Sequence, residues 1–220
     1  MGRSDIAIVI PAFNEAETIY EVVCDVKKYG DVLIIDDYST DATRELVETT
    51  KATLLSHKSN LGYEAALSTG IKYAVENNYR YIITTDADGE LTHFGIEGVV
   101  KFLKEGCLLV VGKRNKKNRM IEVLFGFLAF CMFRIQDPLC GMKGYNADIY
   151  RKYGFFDNRK MIGTELLAYS IRDNVAIQET PITVIKRQGK SRFGGSFSSF
   201  IKISRVIFLF FGIALKRKIA

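Results

Sequence analysis

Histidine is scarce: His57 and His93 are the only two in 220 residues, and neither lies in a recognisable catalytic motif. Histidine-based acid–base chemistry therefore has little to work with. Cys24, Cys107, Cys131 and Cys140 contain no C-x-x-C pair, so buried reduced thiols are the expectation. Neither a G-x-G-x-x-G nor a P-loop is present, so any nucleotide must be held by other means. The formal charge of +6 comes without zinc-finger spacing or a recognition-helix motif, and nucleic acid is not expected as a partner. The first residues run straight into a strand-like segment, without the apolar region and small-residue cleavage site of a signal peptide. Ile6 stands where a myristoylation signal needs Ser or Thr. A cytoplasmic location is expected.

What the chain does have is regular alternation. Apolar runs at 6–10, 32–35, 52–56, 81–85 and 108–112 read as buried strands. Between them lie helical patterns through Val22 and Val26, at 42–49, at Tyr63–Glu76 and at Phe94–Lys104, with Ser39, Thr40 and Asp41 as N-cap candidates for the second. Strands apolar on both faces, alternating with helices, predict a mostly parallel sheet covered on both sides. In such sheets the ligand lies beyond the carboxyl ends of the strands. The strand-end segments 11–15, 36–37, 86–90 and 113–114 are therefore expected to converge on one crevice.

One of those segments, Thr84-Thr85-Asp86-Ala87-Asp88-Gly89-Glu90, organises the rest. In extended chain, positions i and i+2 point the same way, so Asp86 and Asp88 can present two carboxylates together. Hard oxygen ligands at that spacing suit Mg²⁺ or Mn²⁺, with Glu90 as a third candidate ligand. The competing reading is a solvated acidic turn.

In order and spacing, Pro11-Ala12-Phe13-Asn14-Glu15, Asp36-Asp37-Tyr38-Ser39-Thr40-Asp41, Asn60-Leu61-Gly62 and Asp86-Ala87-Asp88-Gly89 resemble the successive motifs of family 2 glycosyltransferases, which have a GT-A fold. Asp137-Pro138-Leu139-Cys140-Gly141-Met142-Lys143, Glu165, Glu179-Thr180-Pro181-Ile182 and the segment from Arg187 to Ser196 resemble the dolichyl-phosphate mannosyltransferase and polyprenyl-phosphate glycosyltransferase branch. The resemblance implies a metal-dependent, inverting transfer of sugar from a GDP- or UDP-linked donor to a polyprenyl or dolichyl phosphate. It implies donor contacts by Pro11, Phe13, Glu15, Asp36, Asp37, Gly62, Asp86, Asp88, Arg114, Arg187 and Lys190, and acceptor-phosphate contacts by Arg114, Arg119 and Ser191. Asp88, Asp137 and Arg187 are the expected catalytic residues. Glu90 departs from the Gln that relatives often carry. For Phe13, stacking on the base competes with packing; for Glu15, donor binding is compatible with a helix-dipole role; for Asp36, the alternative is orienting Asp37 or a loop amide. Gly189, Gly194 and Gly195 suggest a flap that orders on binding.

A sugar hydroxyl acceptor would need a base, for which Asp137 and Glu165 are the candidates. A phosphate monoester, with a second pKa of about 6, would not. The lack of a histidine base leans toward the lipid phosphate. A saccharide hydroxyl is the alternative acceptor, and a non-catalytic nucleotide-binding module the alternative of another class.

Two apolar stretches remain. Met120–Phe133 has only Glu122 charged, and 206–215 is flanked by Lys202, Arg205 and the basic residues 216–218. As helices they would reach about 21 Å and about 15 Å, short of the roughly 30 Å hydrocarbon core. They therefore read as core helices packed on the sheet or as interfacial helices, with Met120–Phe133 expected to be partly buried and to turn one face to lipid. The expectation is a GT-A domain over 1–198 and a C-terminal apolar helix over 199–220 that contacts the membrane interface, peripherally on the cytoplasmic face. Some relatives continue into transmembrane helices, so attachment here is expected to be monotopic or through a membrane-anchored partner protein.

Overall fold

Alternation in the central strands decides the layering. In β1 (Ile6–Ala12), Ala7 and Val9 point to one face of the sheet while Ile6, Ile8 and Ile10 point to the other. β2 (Asp31–Asp36) repeats this with Leu33 and Ile35 against Val32 and Ile34, and β4 (Tyr81–Thr84) with Ile82 against Tyr81 and Ile83. Both faces are apolar, so both must be covered. The computed structural model describes residues 4–117, 119–185 and 196–216.

The other strands are β3 (Thr53–Ser56), β5 (Leu109–Arg114), β6 (Lys143–Asn146) and β7 (Ile177–Ile182). The helices are α1 (Ile19–Val26), α2 (Thr43–Glu48), α3 (Tyr63–Glu76), α4 (Phe94–Lys104), α5 (Met120–Phe133), α6 (Ala147–Tyr153), α7 (Glu165–Arg172) and α8 (Ser196–Ala214). One seven-stranded sheet runs β3-β2-β1-β4-β6-β5-β7. α1, α2 and α4 contribute to the core on one face; α3, α5, α6, α7 and α8 contribute to the other.

The expected parallel, doubly covered sheet is present. Sequence reading places α3, α4 and α5 at their observed bounds and the early strands within two residues. It does not foresee β6, which runs antiparallel to both its neighbours, with Ile83 opposite Gly144 and Val110 opposite the same glycine. The chain leaves β5, forms α5, and returns as β6 between β4 and β5. That reversal brings 137–143 alongside the Asp86 turn. The expected boundary between residues 198 and 199 falls inside α8, whose Val206, Phe210 and Ile213 belong to the core. Phe210 meets Phe125 of α5 edge-on at 5.1 Å. Among the described residues no helix is long and apolar enough to cross a membrane.

Candidate functional site

The register sets strand ends side by side: Ala12 of β1 pairs with Asp36 of β2, and Asp36 with Ser56 of β3. Beyond those ends opens a cleft of about 770 Å³. Pro11, Phe13, Glu15, Asp37, Gly62, Asp86, Asp88, Glu90, Arg114 and Arg119 all line it. Arg187, Lys190 and Ser191 lie outside the described residues, as do Gly189, Gly194 and Gly195.

One end of the cleft is built by lacing two loops together. Asn14, in the left-handed region at φ 54°, accepts the Thr40 amide at 2.7 Å through Oδ1. Its own amide donates to Ser39 Oγ at 2.9 Å, and the Glu15 amide donates to Thr43 Oγ1 at 2.7 Å. None of the three N-cap candidates takes that role: Ala42 stands at the N-cap of α2, and Asp41, one residue ahead of it, accepts the Thr43 amide at 3.0 Å. Asp36 is wholly buried below this loop, where it accepts the Ser39 amide at 3.1 Å, and does not line the cleft. Asp37 faces the cleft and is fixed by three donors. The Leu61 and Gly62 amides reach its two oxygens at 2.8 and 2.7 Å, and His57 Nδ1 lies 2.7 Å from Oδ1. The other His57 nitrogen meets Thr69 Oγ1 at 3.0 Å, so this histidine is a brace. His93, ahead of α4, stacks on Phe94.

The acidic turn forms the floor. Thr18 Oγ1 donates to the Ala87 carbonyl at 2.8 Å, clamping the residue between the two aspartates. Asp86 accepts the Tyr63 hydroxyl at 3.1 Å, and Asp88 accepts the Glu90 amide at 3.0 Å. Burial and the neighbouring Asp88 push the Asp86 carboxyl up to about 6, against the Tyr63 hydrogen bond and the charges of Arg114 and Lys143. Burial and Asp86 in turn hold the Tyr63 phenol well above its ordinary range. Gly141 leaves room for the Asp86 carboxylate, into which a Cβ at that position would run. Among the described residues no three His, Cys, Asp or Glu side chains form a complete ligand cage. Two carboxylates in a half-buried turn that opens on the cleft fit a hard divalent cation that takes its remaining oxygens from a ligand and water.

The wall above carries arginines already matched to carboxylates. Arg114 grips Asp137 through Nε and NH2 at 2.7 and 2.9 Å, and Asp137 also accepts the Arg114 amide. Glu122 of α5 approaches Arg114 at 3.2 Å and Arg119 at 2.7 Å. Burial works against the Arg114 charge, but Asp137 outweighs it and raises its pKa above the ordinary value. Glu179 holds the turn from outside, accepting the Gln136 and Asp137 amides. Lys143, buried next to this group, donates to the Cys140 carbonyl at 2.6 Å, and desolvation lowers its pKa.

The loop between α6 and α7, together with α8, supplies further lining. Glu165 is buried and accepts the Asn158 and Arg159 amides at 2.7 and 2.8 Å, so its carboxylate is committed to the loop. Asp157 accepts the Met161 and Gly163 amides, and Glu64 of α3 accepts that of Ile162. Lys160, Lys202 and Arg205 border the cleft there. Sequence reading missed Tyr63, Glu122, His57 and Thr18 as site supports. Only Glu122 carried a signal, as the lone charge in an apolar helix.

The model of the family described as Glycosyl transferase family 2 matches residues 7–154. A UDP-N-acetylglucosamine–dolichyl-phosphate N-acetylglucosaminyltransferase of Methanococcus voltae is 27% identical over 219 residues, covering 84% of this chain and 87% of its own. An undecaprenyl-phosphate mannosyltransferase of Micrococcus luteus is 23% identical over 217 residues, covering 85% and 86%. Glucosyl-3-phosphoglycerate synthase of Mycobacterium tuberculosis, in complex with Mn²⁺ and UDP-glucose, superposes with a TM-score of 0.75 at 20% identity, covering 97% of this chain and 79% of that one. At that identity the likeness speaks for architecture: the fold is the mixed α/β GT-A type.

Proposed function

The chain belongs to glycosyl transferase family 2, and we propose that it transfers one sugar, with inversion, from a nucleoside-diphosphate donor to a polyprenyl phosphate at the cytoplasmic face of a membrane. The observation that carries this is the cleft floor, where Asp86 and Asp88 open toward the same space as Phe13, Glu15 and Asp37. The names of the M. voltae and M. luteus relatives support the acceptor class, and the ligands of the mycobacterial structure support the donor and the ion.

In this reading Pro11, Phe13, Glu15 and Asp37 hold the base and ribose. Asp37 is preorganised by its three donors, so recognition costs little ordering. Asp86 and Asp88, with Glu90 beside them, hold Mg²⁺ or Mn²⁺. Such an ion neutralises a diphosphate leaving group as a Lewis acid and template. Arg114 stabilises the departing phosphates from the wall, oriented by Asp137. His57, Asp137 and Glu165 are each bound to groups of the protein, which leaves a self-ionised acceptor as the fitting nucleophile. Exposed Val123, Leu124 and Phe127 on α5 and Ile201 and Phe208 on α8 support peripheral contact with a bilayer.

The test is labelled-sugar transfer to short polyprenyl phosphates across a donor panel, with and without EDTA. Divalent-dependent transfer is expected, abolished in Asp88→Ala while circular dichroism is unchanged. Full transfer by that variant in chelator refutes the metal assignment, and transfer to saccharide hydroxyls alone refutes the acceptor.

A further inference from the structure

The cations of the cleft fall into two sets. Arg114 and Arg119 stand against Asp137 and Glu122, two positive charges matched by two buried negative ones. That wall is close to neutral before any ligand arrives. The second set also lines the cleft: Lys160 belongs to the α6–α7 loop, and Lys202 and Arg205 lie one helical turn apart on α8. Among the described residues neither Lys160 nor Arg205 forms an ion pair with a carboxylate. Glu64, the acidic residue bordering this wall, has one oxygen engaged by the Ile162 amide at 3.2 Å.

The loop that presents Lys160 is held at a cost. Lys160 and Ile162 both sit in the left-handed region, at φ 54° and 55°, which is rare for a β-branched residue. Such backbone persists only where surrounding groups enforce it. Here Asp157, Glu165 and Glu64 take five of its amides, and Arg205 donates to the Lys160 and Arg159 carbonyls at 3.2 and 3.0 Å. Strain enforced from both sides fixes one lysine at the cleft mouth. Alongside Arg205 on α8, Ile201 and Phe208 form an exposed apolar stripe at i−4 and i+3. Positive charge at the cleft and apolar surface behind it match a phosphate carrying a hydrocarbon tail.

We propose that Lys160 and Lys202, with Arg205 bracing the loop, seat the phosphate of the lipid acceptor, leaving Arg114 to the donor side. This rests on the functional reading above. The experiment uses the full chain as wild type, as the double variant Lys160→Glu/Lys202→Glu, and as Lys160→Arg/Lys202→Arg. Transfer kinetics with a short polyprenyl phosphate are read separately for acceptor and donor. Binding is read on phosphatidylcholine vesicles carrying polyprenyl phosphate, polyprenol or phosphatidylglycerol, with inorganic phosphate as competitor. Charge reversal is expected to raise the acceptor KM by about tenfold or more, as loss of a charge-assisted contact requires. Donor KM is expected to hold, and the arginine pair to restore the acceptor KM. Preference for polyprenyl phosphate vesicles over both other kinds should vanish in the reversed pair.

An unchanged acceptor KM in the reversed pair overturns the proposal while leaving the transferase reading intact. Equal binding to phosphatidylglycerol also overturns it, reducing the wall to general anion attraction, and so does full displacement by inorganic phosphate. A wild type inert toward every polyprenyl phosphate defeats the functional reading instead, and the vesicle preference then decides the phosphate seat by itself.

Discussion

Asp137 shows how a side chain's partners bear on what its type suggests. A carboxylate beside a proline in a cleft-side loop suggests a base, yet both its oxygens are gripped by one guanidinium. The pairing was not legible because Arg114 ends β5 while Asp137 follows a helix that crosses the molecule; nothing local links them. Asp137→Asn is expected to cost about 2 kcal/mol of stability and to raise donor KM as Arg114 loses its orientation, read by chemical denaturation and a KM-against-kcat split. Asp86 and Asp88, by contrast, do border one cleft as expected, but they lie in the turn beyond β4, so the turn that Thr18 clamps, not the alternation of extended chain, sets them there. Gly141 is a sharper probe of that turn. Gly141→Ala would displace the Asp86 carboxylate, and the expected loss of transfer is about a hundredfold, the usual consequence of an ångström-scale misplacement, with the far-ultraviolet circular dichroism retained.

At the scale of elements, the strands and helices of the first half follow from apolar periodicity and were read with little error. The α6–α7 loop was not, because its shape depends on carboxylates from three separate segments. It carries a pH signature. Burial pushes the Asp157 carboxyl up to about 6, only partly opposed by the Met161 and Gly163 amides. An unfolded aspartate titrates near 3.9, so between that value and about 6 the folded chain binds more protons than the unfolded one. The contribution of Asp157 to stability is therefore fully present below this window and is lost as pH rises through it. Urea midpoints are expected to fall between pH 4 and pH 6, and Asp157→Asn to flatten part of that fall, with Asp86 and Glu179, whose carboxyls burial also raises, contributing to what remains.

For the molecule as a whole, both apolar helices that drew attention in the sequence prove to be half in the core and half outside it. Phe125 and Phe210 pack inward while Phe127 and Phe208 stay 63% and 79% exposed on the surface. Hydropathy alone could not divide them, because residues of one type serve both faces. Replacing both exposed rings, Phe127→Asp with Phe208→Asp, is expected to lower partition into anionic vesicles by at least about tenfold, given roughly 1.5–3 kcal/mol for each buried ring, with no loss of thermal stability. Nor does any local pattern reveal that β6 must slide in between β4 and β5. A nascent chain emerging from the ribosome can zip β1, β2, β3 and β4 together as each appears, but β5 then waits without a neighbour. Only when Lys143–Asn146 arrives do the two parts of the sheet join. Synthesis halted before that point leaves a naked β4 border, open to pairing with another unfinished copy.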